Sequence, residues 1–515
     1  MKSKSKKSII NFSTAIIYKL VVIVVGLLLP RLFITSYGSE VNGLQSSVRQ
    51  IFTYIALLEA GVGASTLQSL YKPVATGDRS TTNSYLSAAS SYYNRIGILY
   101  FVSLAVLGIV YSLFVEVEAI SSIEVFCYIV VSGALTGINF FYLAKLKLII
   151  SAEGDQYVVS VITMVSYIVS SFIKICLIYI GVNIILVELS FFGINMVSTG
   201  VYFLVAKRKY PWLSFRAKPD FSCTEQKGSV MIHRVASVVF QNVDVVLLTI
   251  FCDLKTVSIY SMYKMVVNMV TSVVSEVGVS VNFIFGQQFN SETDENKPRY
   301  CNMIDVFNVY YSAISFGLYT VTYILILPFL KIYTDGMDMN YIFPLLPLVY
   351  IIMEFLMVGR EAMMRTIEVA GHFKKTRAQT VTETVINMGA SVILLLVLKS
   401  FMGNIGGIYG VLIGTIVALL YRTIEMNIYA NKRILHRNSF KTFSVMLINA
   451  VLFAVVAVIF SKISLPIDDY FSFILHGCWI SVVIVAFYMI VQSVVNPKEF
   501  VYILKYLKTK MKRGK

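Results

Sequence analysis

The stretch LLEAGVG, Leu57–Gly63, sets a carboxylate and two glycines inside a long apolar segment, and VSEVGVS, Val274–Ser280, echoes it. Glu59, Gly61 and Val62 fall on Glu276, Gly278 and Val279 at a constant offset of 217 residues, and the same offset carries Gly154 onto Gly371. Each trio sits in the second apolar segment of what reads as a six-segment block. A carboxylate near mid-bilayer costs about 2.5–3.5 kcal/mol on insertion scales. Its appearance at matching places in both halves therefore points to one interior built by duplication.

The rest of the chain fits that reading. Its 515 residues are 57% hydrophobic and 14% charged, with a mean hydropathy of +0.74, which leaves too little polar surface to cover a soluble globule. The apolar runs are about 20 residues long and do not alternate, so the spans are helices and not barrel strands. The expected class is an all-α integral membrane protein of about fourteen transmembrane helices, two pseudo-symmetric six-helix lobes plus two C-terminal helices. The spans start near residues 9, 43, 83, 122, 158, 184, 229, 257, 303, 341, 378, 408, 441 and 470. The start MKSKSKKS followed by an apolar stretch resembles a signal sequence, but no small-residue cleavage site follows before Arg31, so a retained first helix is expected.

With the N-terminus cytoplasmic, inner loops and tails hold 30 of the 44 Lys/Arg, outer loops hold 5 and spans hold 9, which places both termini inside. A net charge of +16 concentrated beside helices speaks for anionic lipid headgroups and not for nucleic acid. The expected segments are an N-terminal lobe 1–206, a cytoplasmic linker 207–227, a C-terminal lobe 228–430, helices 13 and 14 in 431–496, and a basic tail 497–515 that alternates apolar residues with lysines and suits the inner leaflet. An even number of spans per lobe makes the repeat a parallel one.

Enzyme motifs are absent: no G-x-x-x-x-G-K-[ST], no H-E-x-x-H and no G-x-S-x-G. Four scattered histidines make no site, six cysteines lying singly read as buried thiols, and Asp335 and Asp338 in TDGMD offer too few ligands for a metal. No cofactor is expected. Movement of a substrate is the better class, and the in-span charges become its evidence. They are Lys19, Arg31, Arg49 and Glu59 in spans 1 and 2, and Arg234, Asp244, Lys264 and Glu276 in spans 7 and 8. Arg49 lies ten residues before Glu59 and Lys264 twelve before Glu276, so the two cations are not strict repeat mates. Asp244 suits either cation coupling, by H⁺ or Na⁺, or a static pair. Span 10 holds Arg360, Glu361, Arg365 and Glu368: Glu361 with Arg365 at i,i+4 and Arg365 with Glu368 at i,i+3 can neutralise one another on one helix face, or the cluster serves as a cytoplasmic gate. Gly406, Gly407, Gly410 and Gly414 suit close helix packing.

Over essentially its whole length the chain resembles the polysaccharide transporter (oligosaccharide flippase) family of the multidrug and oligosaccharidyl-lipid exporter superfamily. The resemblance lies in LLPRLFITSYGSEVNGL (Leu28–Leu44), LLEAGVG with LYKP (Leu70–Pro73), AGHFKKT (Ala370–Thr376) and GIYGVLIGTIVALLYR (Gly407–Arg422). It implies a bacterial plasma-membrane carrier, functional as a monomer, whose cavity is lined by helices 1, 2, 7 and 8. Such a carrier moves an undecaprenyl-diphosphate-linked oligosaccharide to the outer leaflet by alternating access. Arg31 and Arg49 match the basic cavity positions that would meet the diphosphate, and Lys264 and Arg234 match less closely. A cation-coupled multidrug exporter and a membrane polysaccharide polymerase or ligase are the alternatives.

Overall fold

The structure, a computed structural model, describes residues 2–513 except 60–61, 116, 118–119, 225–226, 281–284, 286–287, 290–296, 373–374 and 464. Side chains are described for fewer residues; those of 2–13, 227–234 and 506–513 are outside them. Among the described residues every regular element is helical. In order these are α1 (Lys2–Tyr37), α2 (Ser39–Ile55) with a 3₁₀ turn (Ala56–Glu59), α3 (Val62–Thr76), α4 (Arg79–Phe114), α5 (Ser122–Ile138) with a π turn (Asn139–Leu143), α6 (Ala144–Ala152), α7 (Gln156–Tyr179) and α8 (Ile184–Lys209). After the linker follow α9 (Lys227–Phe251), α10 (Leu254–Ser280), α11 (Pro298–Tyr333), α12 (Leu346–Val369), α13 (Arg377–Arg433), α14 (Phe440–Phe460), α15 (Tyr470–Val495) and α16 (Pro497–Arg513).

These are the fourteen spans. α2 and α3 together make span 2, α5 and α6 make span 4, and α13 is two spans joined at Gly403, whose φ of 65° and ψ of −155° break the helical path where only glycine is unstrained. Ten helices are long and apolar enough to cross a bilayer by length and composition. Among the described residues α2, α9 and α12, which hold Arg49, Asp244 and the Arg360–Glu368 cluster, fall short, as do α3 and α16. α2 has only 17 residues, α9 is described with its side chains only from about Val238, and in α12 the charges of Glu354 and the Arg360–Glu368 cluster lower the hydropathy.

The ends are set by local chemistry. Asp78 accepts from the Thr81 amide at the start of α4, Ser121 and Glu124 form a reciprocal capping box on α5, and Asp469 and Ser472 do the same on α15. α4 and α11 each have 36 residues, about 54 Å at 1.5 Å per residue against an apolar core of about 30 Å. Each is therefore longer than a straight crossing needs; the N-terminal end of α4 is the one the linker packs against, hereafter the linker side.

By internal contacts the chain forms two compact units: residues 1–246 with 336–339, and residues 247–335 with 340–515. In each the deep interior is rich in tyrosine. Tyr93, Tyr100, Tyr128, Tyr202, Tyr260 and Tyr263 are all under 3% exposed, and buried hydroxyls reach across helices: Tyr111 to Ser47 at 2.8 Å, Tyr300 to Thr366 at 3.1 Å, Tyr488 to Thr320 at 2.8 Å. In hydrocarbon a polar group needs such a partner, and the phenol supplies bulk and a hydrogen bond together.

The linker is not a loose tether. Asn83 on α4 donates to the Trp212 carbonyl at 3.2 Å and accepts from the Ser214 amide at 3.0 Å, and Ser87 donates to the carbonyls of Phe215 and Ala217. Arg79 lies over the Trp212 ring and Lys145 over Phe215. At its start, Asp155 takes Lys209 at 2.7 Å and the Tyr210 hydroxyl at 3.0 Å. Burial pulls the Lys209 ammonium down, and the Asp155 carboxylate outweighs it, so its affinity for the proton ends above the ordinary value. In the second unit α16 is tied to α11 and α14: Lys441 joins Glu499 to Asp305, which Arg437 also holds at 2.7 Å. The expectation of buried thiols needs correction: of the six cysteines only Cys223 is buried, and Cys478, on the outer surface of an apolar helix, is exposed.

Candidate functional site

In the first unit α2 carries a polar stripe. Gln45, Ser46, Arg49 and Thr53 recur at helical spacing on one side, while Val41, Leu44 and Val48 on the other are fully buried. Lipid cannot solvate such a stripe. Arg49 stands at its centre, ten residues into α2 and about 15 Å along the axis. It is exposed, and its guanidinium has no hydrogen-bond or ion-pair partner among the described residues. Yet it lies within electrostatic range of the Tyr128 and Tyr167 hydroxyls and of the Lys174 ammonium, all of the same unit.

Arg31, near the end of α1, is half-buried and engaged. Glu59 is displaced from its expected depth. The α2 helix stops at Ile55, the 3₁₀ turn follows, and the Tyr93 hydroxyl meets the Glu59 carboxylate at 3.0 Å. Tyr93 precedes Arg95, the last charge before the uncharged run Ile96–Phe114 of α4, so Glu59 sits at the linker-side edge of the apolar zone and not at mid-bilayer. Gly63 makes this pairing possible, because a methyl there would meet Glu59 Oε1 at 2.6 Å and Tyr93 Oη at 2.9 Å. Gly61, part of the echoed motif, lies outside the described residues. Asp244 is 4% exposed on α9, has contacts of its own and lies near the Tyr54 hydroxyl. The Arg234 side chain is outside the described residues.

In the second unit α10 repeats the pattern. Lys264, Asn268, Ser272, Ser275 and Glu276 form a polar stripe, of which Asn268, Ser275 and Glu276 are exposed, and beside it runs an exposed apolar strip of Val273 and Val277. Lys264 is ten residues from Leu254, as Arg49 is from Ser39, so counting from the helix starts brings the two cations into register. The offset of 217 separated them by two residues. Glu276 lies in unbroken helix, unlike Glu59, so the echoed motif has two local conformations.

The span 10 cluster divides. Glu361 accepts from Arg365 Nε at 2.8 Å, and Arg365 comes within 3.6 Å of Glu368, as the spacing anticipates. Arg360 does not join them: it crosses to Glu383 at 2.5 Å, and Glu383 is shared with Arg422 at 3.4 Å, which also holds Glu425. Both pairings that the spacing gives, Glu361 with Arg365 and Arg365 with Glu368, are therefore present, and Arg360 has its partner on α13.

Three features escaped the sequence reading. Lys174 and Glu188 form a buried ion pair between α7 and α8, and Glu354 is buried with the Tyr319 hydroxyl at 2.8 Å. The third is the Arg360–Glu383–Arg422 network. Lys174 is five residues before the end of α7 and Glu188 four after the start of α8, so their symmetry about the turn was a readable signal. Glu383 and Arg422 are likewise almost symmetric about Gly403. Asp338 is used as an acceptor for the Ser39 amide at 2.9 Å, at the start of α2.

No protein-family model matches the sequence, and no curated protein matches it. Solved structures do. A lipid II flippase, MurJ, in an inward-closed conformation aligns with a TM-score of 0.63 at 13% identity, over 93% of this chain and 99% of that one. An inward-facing multidrug resistance MATE family transporter of the MOP superfamily aligns at 0.61 and 14%, over 82% and 98%. A mutant form of the Vibrio cholerae MATE transporter VcmN aligns at 0.52 and 16%, over 85% and 100%. The chain has the all-helical fold that the MurJ flippase and the MATE transporters of the MOP superfamily share.

Proposed function

We propose that this protein is a transporter, not an enzyme, that carries a lipid-linked oligosaccharide, an undecaprenyl-diphosphate ester, from the cytoplasmic to the outer leaflet by alternating access. The observation that carries the reading is Arg49, an exposed guanidinium without a partner among the described residues, on the polar stripe of α2. A cation at that depth costs about 2.5–3.5 kcal/mol to insert, which an anionic cargo offsets. A diphosphate meets it with two oxygens at once, in the planar geometry that favours arginine over lysine. The apolar strip beside the α10 stripe suits a cargo with a polar head and a prenyl tail. Likeness in fold to a lipid II flippase supports the same class.

Arg31, Lys264 and Arg234 serve in this reading as further cavity cations, Glu59 and Glu276 as cavity carboxylates, and Asp244 as the residue coupled to H⁺ or Na⁺. Both termini are cytoplasmic, in a bacterial plasma membrane, and the protein works as a monomer. Multidrug export is the second reading, favoured by the MATE likeness. Arg49 decides between them. Polymer export and dye efflux are measured on three variants with insertion checked: Arg49→Lys retains part of the export, Arg49→Ala loses nearly all of it, and Arg49→Glu loses all. Dye efflux unchanged or improved in the same variants marks a drug exporter, and wild-type polymer export by Arg49→Glu removes the residue from the path.

A further inference from the structure

Beside Arg49 stands a second cation whose charge is already taken. Lys174 on α7 pairs with Glu188 on α8, each side chain 6% exposed, and its ammonium lies 4.8 Å from the Phe33 ring centre and 5.2 Å from that of Phe191. Arg49 is within electrostatic range of Lys174, and the buried Tyr128 senses both Glu188 and Arg49. Three charges share one interior neighbourhood in the first unit, and their sum is +1. Arg31 and Glu40 near the α1–α2 turn are of opposite sign and both engaged, so they leave that sum unchanged.

The sum limits what can bind. In a low-dielectric interior an uncompensated charge is expensive, and breaking a buried pair costs about 3–5 kcal/mol because it strands the partner. A ligand of charge −1 neutralises the cluster through Arg49 and leaves the Lys174–Glu188 pair intact. A diphosphate diester carries −2. It brings the cluster to −1, and if it draws Lys174 away, Glu188 is left as a buried carboxylate in range of the phenols of Tyr128 from α5 and Tyr37 from the end of α1.

We propose that a diphosphate lipid spans Arg49 and Lys174, and that Glu188, released from Lys174, takes up one proton from water as the ligand binds. The Lys174 ammonium stays charged, the Glu188 carboxylate becomes the neutral acid, and the site closes at zero net charge. Glu188 is thus both the competitor that reserves Lys174 and the group that ties diphosphate binding to protons. This rests on the reading of the cargo as a prenyl diphosphate ester. A static staple between α7 and α8 accounts for the pair but not for an unmatched guanidinium in range of it.

The test uses the full chain in nanodiscs and two probes, a short-chain prenyl diphosphoryl glucose and the matching monophosphoryl glucose, both diesters that do not titrate near neutral pH. Calorimetry in buffers of different ionisation enthalpy counts protons. The expected result is one proton taken up with the diphosphate and none with the monophosphate, and diphosphate affinity that rises about tenfold per pH unit of acidification, as linkage of one proton requires. In Glu188→Gln uptake vanishes, the pH dependence flattens and diphosphate binding tightens at neutral pH. In Lys174→Gln the preference for diphosphate over monophosphate falls on the order of tenfold, the scale of one charge-assisted hydrogen bond. Wild-type diphosphate binding without proton uptake, or uptake that persists in Glu188→Gln, overturns the inference, and the wild-type measurement stands even where a variant does not fold. If diphosphate binds through Arg49 without protons, the inference alone fails. If neither lipid binds, or Arg49→Ala leaves binding intact, the cargo reading fails with it.

Discussion

Gly410→Ala places one methyl group where the two legs of α13 touch backbone to backbone. A Cβ there would press on the Leu395 backbone and lie 2.7 Å from the Leu394 carbonyl carbon, against an optimum of about 3.7 Å between carbons. The legs must part by about 1 Å, and overpacking of this kind costs about 1–3 kcal/mol. Alanine returns about 1 kcal/mol of helix propensity. The net expectation is a loss of up to about 2 kcal/mol. Gly389→Ala on the same helix is the control: it is exposed, nothing lies within 4 Å of its Cβ, and only the propensity gain remains, about 1 kcal/mol in the stabilising direction. The sign should therefore reverse between two identical substitutions 21 residues apart. Thermal unfolding in detergent, read as the midpoint of loss of monodisperse protein, measures both. A Gly410→Ala protein as stable as Gly389→Ala would refute the close contact of the legs.

Further outcomes are expected. Glu383→Gln leaves Arg360 and Arg422 with one buried carboxylate fewer and should cost about 3–5 kcal/mol, whereas Arg360→Met with Glu383→Leu should cost much less; a thermal-shift series on the two proteins checks the difference. His372, in the loop after α12, is held below its ordinary value of 6.5 first by burial and then by the neighbouring Lys375 ammonium. Lys375→Met should move its titration part of the way up, read by NMR of labelled histidine. Because the folded loop resists that proton while the unfolded chain accepts it, the loop's stability is full above the ordinary histidine range and declines as pH falls through it. Reporter fusions after residue 336 should read as outside and after 218 as inside; a cytoplasmic signal at 336 would overturn the orientation drawn from the lysines and arginines.

The number and order of the spans were legible because about 20 apolar residues between charged loops have one physical solution in a bilayer. The internal geometry was less so. LLEAGVG reads as a smooth helical segment, yet α2 ends at Ile55, and the depth of Glu59 depends on where α4 places Tyr93, a contact 34 residues away. Arg360 has no acidic residue three or four positions away on its own helix, and nothing local says that Glu383, 23 residues on, will take it. By contrast Lys174 and Glu188 were readable, as lone opposite charges at equal distance from one turn, and so were Glu383 and Arg422 about Gly403. Arg49 was singled out from its sequence position; that its guanidinium is unpartnered required every neighbouring helix.

The docked linker also has an optical consequence. The chain has 33 tyrosines and only two tryptophans. One, Trp212, lies in the linker beneath Arg79, and the other, Trp479, is 46% exposed on α15. Intrinsic emission therefore comes from two addresses with different surroundings, one in water reach and one at an apolar surface. Quenchers dissolved in water or carried on lipid tails separate the two signals, so release of the linker from α4 can be followed in the unlabelled protein as a change in the water-quenched component alone.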